Sequence, residues 1–489
     1  VYQVGNEGKA IEVSQTLNIL LTKKNKKIDQ VDMSNPFMCG LPSIKVEKYI
    51  DILLKEDKYT IIVIKQVRDE NNNITRKIDK IISSGTNLET NSNKINNYIT
   101  SLVFEKASGG IIIGSASYID VSSGNVFCYE IYGTQDDKEL SIDEIYKLFN
   151  TYTGKEVIIN FDGFEDYEEK LIINKLNLDN KSFVSKKLID NKASLNLVYQ
   201  NKLLNSIYTI KTMLTPIEYF NMETYTNMST SLTLLLEFII EHNNSIVFNL
   251  KEPIIISNEK YLMMGNNAAE QLELVSTGNN KGLIEILTKG CSTYGKRFIN
   301  QRLLNPILDR VEIERRYNNS FKFVDFKDID KISSLISNIH DLERLFRKIL
   351  VNTIQPFELY SFYESLNNFF KIYKIVSSDA NLKTLDFIEN IDLVNIIKIY
   401  KQIETTFKLD LIQIYSLNSI NNSFIKEGIS KDLDDTIIEH NKLFKEIEEL
   451  ANVYLKLIDD KKEFDLNDTV VKLNNNDTEG YFFTITRSE

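Results

Sequence analysis

The chain has 489 residues, 42% hydrophobic and 26% charged, with a net charge of −11. That length predicts three or four domains, the composition excludes a disordered tail, and no apolar run reaches the ~18 residues of a membrane span. Three scattered cysteines (Cys39, Cys128, Cys291) and three histidines (His242, His340, His440) exclude a disulfide framework, leave little for a zinc site and point to a reducing compartment.

The N-terminus lacks a signal-peptide pattern, and it begins at Val1 rather than Met, which predicts a chain cut from a longer one. Residues 1–86 hold 14 Lys/Arg against 11 Asp/Glu, a net of +3 that leaves −14 for the rest. Attraction between charges is local, screened beyond ~10 Å, so a basic head on an acidic body can still bind DNA.

In chain order, "AIEVSQTLNILLTKKNKK" runs from apolar residues into a Lys cluster. "VEKYIDILLKE" (46–56) has helical spacing, and "YTIIVIKQV" (59–67) predicts a buried strand. "SSGTNLETNSNK" (83–94) has the composition of a linker. These pieces make a small α/β domain over 1–90. "GGIIIGSASYIDVSSGNVFCYEIYG" (109–133) is two strands around hairpin residues 122–125, followed by a helix at 141–150 and a strand at 156–161. This is a second α/β domain, over 95–195.

Beyond residue 200 the pattern becomes helical, in "SLTLLLEFIIEHNN" (231–244), "IHDLERLFRKIL" (339–350) and "NIIKIYKQIETTF" (395–407). From Leu433 the positions Ile437, His440, Phe444, Ile447, Ala451, Tyr454 and Ile458 follow in alternating steps of four and three, a coiled-coil seam in which His440 is a tolerated polar member rather than a ligand. The segment 469–489 returns to strands around a turn at Asn474–Gly480.

Gly-Lys occurs at 8–9, 154–155 and 295–296 and is followed by Ala, Glu or Arg, so a phosphate-binding loop, which needs Gly-Lys-Ser/Thr, is missing from these residues. Asp120, with Glu130, Asp143 and Glu144, raises the alternative of a ribonuclease H-like nuclease, which would need these carboxylates to converge on metal ions. The other reading of Asp120 is a turn-forming residue at a strand end. A third function class is a helical scaffold that binds only proteins. The clusters "LTKKNKK" (21–27) and "TRKIDK" (75–80) supply long cationic side chains of the kind that contact phosphates.

"NNAAEQLEL" (266–274), "STYGKRFINQRLLNPIL" (292–308), "ERRYNNSFKFV" (314–324) and "HDLERLFRKI" (340–349) resemble, in order, the core of the MutS mismatch-repair family. "LNILLTKKN", "MCGLPS" (38–43) and "RKIDKIISSGT" (76–86) look like its mismatch-binding domain, "YIDVSSGNVF" like its connector and "GYFFTITR" (480–487) like the end of its clamp. "SNPFMCGLPS" and "LTPIEYF" (214–220) are most similar to the branch of large DNA viruses and octocoral mitochondria.

The resemblance spans essentially the whole chain. It implies a mixed α/β mismatch-binding domain at 1–90, a ribonuclease H-like connector at 95–195, a helical lever and core at 196–422 and a coiled-coil/β clamp at 423–489. It further implies binding and bending of duplex DNA with mismatches or small loops, in the cytoplasm, a nucleoid-like compartment or a viral factory. The full-length protein would be a homodimeric ATPase using ATP and Mg, and this portion a monomer with no cofactor and no catalytic or metal-binding residue. Lys23, Lys24, Arg76, Lys77, Lys80 and Arg487 would contact the duplex backbone. The family's Phe-x-Glu mismatch reader is replaced by Val1 and Gln3 or lies upstream, and the missing start Met favours the upstream position. In the 291–308 helix, Phe298, Leu303 and Leu304 would be core, while Lys296, Arg297 and Arg302 would form interhelix ion pairs.

Overall fold

The computed structural model describes residues 2–4, 7–41, 46–54, 59–68, 74–87, 97–152, 154–178, 184–186, 194–257, 260–262, 268–276, 280–385, 388, 390–417, 420, 422–456, 471–476 and 480–485. The chain is mixed α/β and forms two compact units, Val1–Ile391 and Asp392–Glu489. Among the described residues no helix is long and apolar enough to cross a membrane.

The first unit begins with β1 (Tyr2–Val4), β2 (Glu7–Gly8), α1 (Ala10–Leu17), β3 (Leu21–Lys23) and β4 (Phe37–Cys39), the strands forming an antiparallel sheet of order β2-β1-β4-β3. Ala10, Val13 and Leu17 lie on one face of α1 and pack with Cys39 and with Leu53 of α2 (Val46–Leu54). Asn18 ends α1 in the left-handed conformation at φ 50°, which Asn tolerates better than most residues. The antiparallel hairpin of β5 (Ile61–Arg68) and β6 (Ile74–Ile82) lays Ile61, Val63 and Ile82 on Ile50 and Leu54 of α2.

Among the described residues, only one face of that hairpin is covered. Ile62, Ile64 and Ile78 are 53, 57 and 62% exposed, so the segment expected to be a buried strand is half-buried at Tyr59, Ile61 and Val63 alone, because a two-stranded ribbon has a single supported face.

The next sheet has six strands: β7 (Tyr98–Lys106), β8 (Ile112–Asp120), β9 (Asn125–Tyr132), β10 (Gly154–Asp162), β11 (Val184–Lys186) and β12 (Ile254–Ile255), in the order β11-β10-β7-β8-β9-β12. β7, β8 and β9 form an antiparallel meander; β10 runs parallel to β7 and β12 parallel to β9. α3 (Leu140–Thr151) and α4 (Asp166–Lys175) contribute Ile142, Ile145, Phe149 and Ile172 to the core on one face, around Leu102, Phe104 and Tyr118.

α5 (Leu197–Ile207) and α6 (Pro216–Tyr219) lead to α7 (Thr226–Asn243), whose Leu232, Leu235, Leu236 and Ile239 join Ile99, Ile119, Val126 and Ile158 in the other core. The hydroxyl of Ser231, buried in that contact, donates to the Ser101 carbonyl and pairs with Ser117 Oγ, as a buried hydroxyl must. With a core on each face, β7 and β8 are buried along nearly their whole length, Thr100, Ser101, Ser115 and Ser117 included.

Further helices of this unit are α8 (Ala268–Gln271), α9 (Leu283–Leu287), α10 (Thr293–Leu304), α11 (Arg310–Phe321), α12 (Ile329–Ser337), α13 (Leu342–Leu350) and α14 (Pro356–Ser378). Side-chain caps start several of them: Ser292 for α10, Asp309 for α11 and Asp341 for α13, with a Gln355–Glu358 capping box on α14. Ile332 of α12 and Val376 of α14 pack with Leu382 and Leu385. α10 stops at Leu304, two residues before Pro306, where proline restricts the preceding residue.

The second unit contains α15 (Leu393–Thr406), α16 (Leu409–Ile412), α17 (Lys431–Lys456) and the antiparallel pair β13 (Val471–Asn476) and β14 (Gly480–Ile485). The heptad seam lies on α17 with Ala451 buried, while His440 is exposed and stacks 5.9 Å from the Phe444 ring. Tyr454 at the end of the seam meets Phe483 of β14 at 5.9 Å. Ile458 and the turn residues 477–479 lie outside the described residues.

Candidate nucleic-acid interface and the polar joint behind it

Of the basic residues anticipated at a duplex, Lys23, Arg76, Lys77 and Lys80 lie on two separate strands. Lys23 ends β3, half-buried, and its ammonium donates to the Asp29 carbonyl at 2.9 Å and lies 3.5 Å from Asp29 Oδ1. Lys24, one residue on, is exposed. On β6, Arg76 stands opposite Gln66, Lys77 opposite Lys65 and Lys80 opposite Val63.

Asp79 is the extra residue of a bulge between those last pairings, and its carboxylate binds Lys65 Nζ at 2.9 Å. Strand alternation therefore puts Arg76 on the open face with Ile62, Ile64 and Ile78, and Lys77 and Lys80 on the face turned toward α2. Arg76 and Lys77 are exposed and Lys80 is half-buried. Arg487 and Val1 lie outside the described residues. Tyr2, beside Val1 on β1, is 59% exposed.

The helix from 293 to 304 overturns part of its sequence-based expectation. Phe298 is 41% exposed, and Leu303 and Leu304 are half-buried. The residue that α10 buries is Arg297, 8% exposed. Its guanidinium binds Asp341 through both terminal nitrogens, with Nη2 3.0 Å from Oδ1 and 3.1 Å from Glu343 Oε2. Burial alone would pull the Arg297 pKa down, but the Asp341 hydrogen bond and the charges of Asp341 and Glu343 push it up.

Arg302 instead lies over the Phe298 ring, 4.1 Å from its centroid, a cation–π contact; burial and the neighbouring Arg316 lower its pKa. Lys296 lines an open cavity of about 990 Å³ together with Ser122, His340, Arg344, Arg347 and Glu358.

Three of the sequence motifs meet at this point. The β8–β9 turn is held by Asp120, whose Oδ1 accepts from Ser122 N at 3.0 Å and Ser122 Oγ at 2.7 Å. Across from it, Lys251 Nζ donates to Asn125 Oδ1 and Glu343 Oε1, both at 2.8 Å. Arg347, 2% exposed, donates to the carbonyls of Ile246, Phe248 and Asn249. Its burial lowers the guanidinium to about 10. Gly124, at φ 75°, lies against it: a Cβ there would be 3.2 Å from Arg347 Nε. "DVSSGN", "GKR" and "DLERLFR" are thus one polar joint between a sheet turn and α10 and α13. Nothing in the sequence pairs these three segments, which are far apart along the chain; the signal they carry is charged residues among helix-core apolar ones.

Three of the four carboxylates that a nuclease would need are held by other partners. Asp120 holds its turn, Glu130 accepts from Tyr132 OH at 2.7 Å and Met228 N at 2.6 Å, and Glu144 pairs with Lys147 at 2.7 Å. Burial raises the Glu130 pKa. Among the described residues no three His, Cys, Asp or Glu side chains gather as a metal site.

Residues 7–91 match the family model of MutS domain I, and residues 267–470 match that of MutS domain III. A mutS homolog of Acanthamoeba polyphaga mimivirus is 26% identical over 517 residues, covering 98% of this chain and 45% of that protein. DNA mismatch repair protein MutS of Caldanaerobacter subterraneus subsp. tengcongensis is 26% identical over 462 residues, 92% of this chain and 49% of the relative. The MutS of Clostridioides difficile is 24% identical over 495 residues, 98% and 47% respectively. The chain belongs to the MutS family of DNA mismatch-repair proteins, and it spans about half the length of these relatives.

Proposed function

We propose that these residues are the DNA-reading portion of a mismatch-repair protein, which binds and bends duplex DNA carrying mismatches or small loops. The observation that carries this reading is the ordered pair of domain matches, 7–91 and 267–470, with the exposed cations Arg76 and Lys77 on β6 and Lys24 just past β3 in the first. The organisation follows the family: mismatch-binding domain at 1–90, ribonuclease H-like connector at 95–195, lever and core at 196–422, clamp at 423–489. ATP and magnesium belong to the motor of the full-length homodimer, and this portion binds without turning nucleotide over.

Lys23, Lys24, Arg76, Lys77, Lys80 and Arg487 serve as backbone contacts. Such contacts position the protein without reading sequence.

The test is binding of matched and mismatched duplex across a salt series. Each phosphate contact contributes about 0.9 to the slope of log K against log salt. Replacing Lys24, Arg76 and Lys77 by Ala should flatten the slope by up to about 2.7 and weaken both duplexes alike. An unchanged slope removes these residues from the interface, and equal affinity of the unsubstituted protein for the two duplexes removes the mismatch reading.

A further inference from the structure

The segment with linker composition begins as a buried lock. Directly after β6, Ser83, Ser84, Thr86 and Asn87 are each at most 4% exposed. Ser83 Oγ donates to Glu156 Oε2 of β10 at 2.8 Å, and Ser83 and Thr86 close the turn on each other: Ser83 N donates to Thr86 Oγ1 at 2.9 Å, and Thr86 N to Ser83 Oγ at 3.3 Å. Asn97 Nδ2 donates to the carbonyls of Gly85 at 2.8 Å and Asn87 at 3.3 Å. On the opposite side Asn87 Nδ2 donates to Asp51 of α2 at 2.8 Å.

The fit leaves no room for a side chain at Gly85, where a Cβ would be 2.6 Å from Glu156 Oε2 and 2.9 Å from Ile99. Glu156 and Asn97 are themselves 3 and 2% exposed. A carboxylate is costly to bury, and this one is placed where the hairpin of β5 and β6 joins the six-stranded sheet.

We infer that Glu156 is a positioning residue for duplex recognition: with Asn97 it locks the turn 83–87, so that the basic hairpin is presented to DNA in one orientation. The inference rests on the DNA-reading function proposed above. A flexible tether at this place would let the hairpin sample many orientations and lose affinity to ordering on binding. A locked turn keeps the cost of that ordering out of the binding step. A mismatched duplex, which must be bent, is the ligand that depends more on a rigid presentation than a matched one held by backbone contacts alone.

The experiment uses the full-length protein with Glu156→Ala, Ser83→Ala and Glu156→Gln. It measures mismatched and matched duplex affinity, and hydrogen exchange of the 83–87 backbone and of strands β7 to β10. The expected result is that Glu156→Ala and Ser83→Ala raise exchange at 83–87 and leave the strands unchanged. The same two variants should reduce the mismatched-to-matched affinity ratio about tenfold, as loss of one charged hydrogen bond implies. Glu156→Gln, which keeps an acceptor oxygen for the Ser83 hydroxyl, should recover most of the ratio.

Faster exchange with an unchanged ratio overturns the positioning role, and unchanged exchange overturns the lock. If Glu156→Ala also loosens the strands, the milder Ser83→Ala decides by the same two readouts. If the unsubstituted protein shows no mismatch preference, the functional reading fails on that protein alone and this inference falls with it.

Discussion

α7 and α10 are both helices of the first unit, held by opposite means. In α7 every residue from Asn227 through Leu236 is buried, as is Ile239, and the helix is fixed by apolar surface removed from water. In α10 the buried residue is a single arginine, held by two carboxylates of the 341–343 segment. The difference teaches that burial in this chain does not follow hydrophobicity. An apolar helix covers a sheet, while a polar helix is keyed to its neighbours by one charged knot. Such a knot contributes little net stability compared with an apolar replacement but is costly to break from one side.

The largest effect should come from α7. Leu235→Ala removes a fully buried side chain and should cost roughly 2–5 kcal/mol in urea unfolding. Next, Arg297→Ala should cost about 3 kcal/mol, the low end for stripping one partner from a buried ion pair, because Lys251 and Arg344 stay beside the carboxylates. Arg297→Lys should restore less than half, since an ammonium cannot make the forked contact. Leu303→Ala, at a half-buried position, should cost only about 1 kcal/mol. If Leu303→Ala proves more damaging than Arg297→Ala, α10 is an ordinary apolar helix and the contrast with α7 dissolves.

The smallest effect is a pH dependence on α11. Hydrogen bonds from Arg315 and Arg316 hold Glu312 at about 2, below its ordinary 4.5. A depressed carboxyl contributes stability that is present above 4.5 and lost as pH falls through about 2. Glu312→Gln should therefore make the acid limb of stability slightly shallower in that window. A limb unchanged by the substitution means that these ion pairs contribute nothing.

Local patterns in the sequence were enough for the hairpin at 122–125 and for the helices expected at 46–56, 231–244, 339–350 and 395–407, which run over 46–54, 226–243, 342–350 and 393–406. Turn chemistry and periodicity act over a few residues, so they survive without knowledge of the rest of the fold. What escaped was long-range. Ser83–Asn87 has loop composition, and its burial depends on Glu156, which lies 73 residues beyond Ser83. The Arg297 knot depends on Asp341, 44 residues away, although both motifs were in view. "YTIIVIKQV" reads as buried on both faces because the pattern cannot reveal that its sheet stops at two strands. At the candidate interface, composition located the cations, but which face of β6 each occupies depends on the bulge at Asp79, for which the sequence carries no mark.

The six-stranded sheet also has a consequence for synthesis. Five of its strands are complete by Lys186, yet the helix that covers Ile99, Ile119, Val126 and Ile158 ends at Asn243. At 5–20 residues per second, a ribosome needs roughly 3–11 s to make the intervening stretch. For that interval the emerging chain carries an almost finished sheet with one greasy face open to water, and chaperone capture belongs to that window.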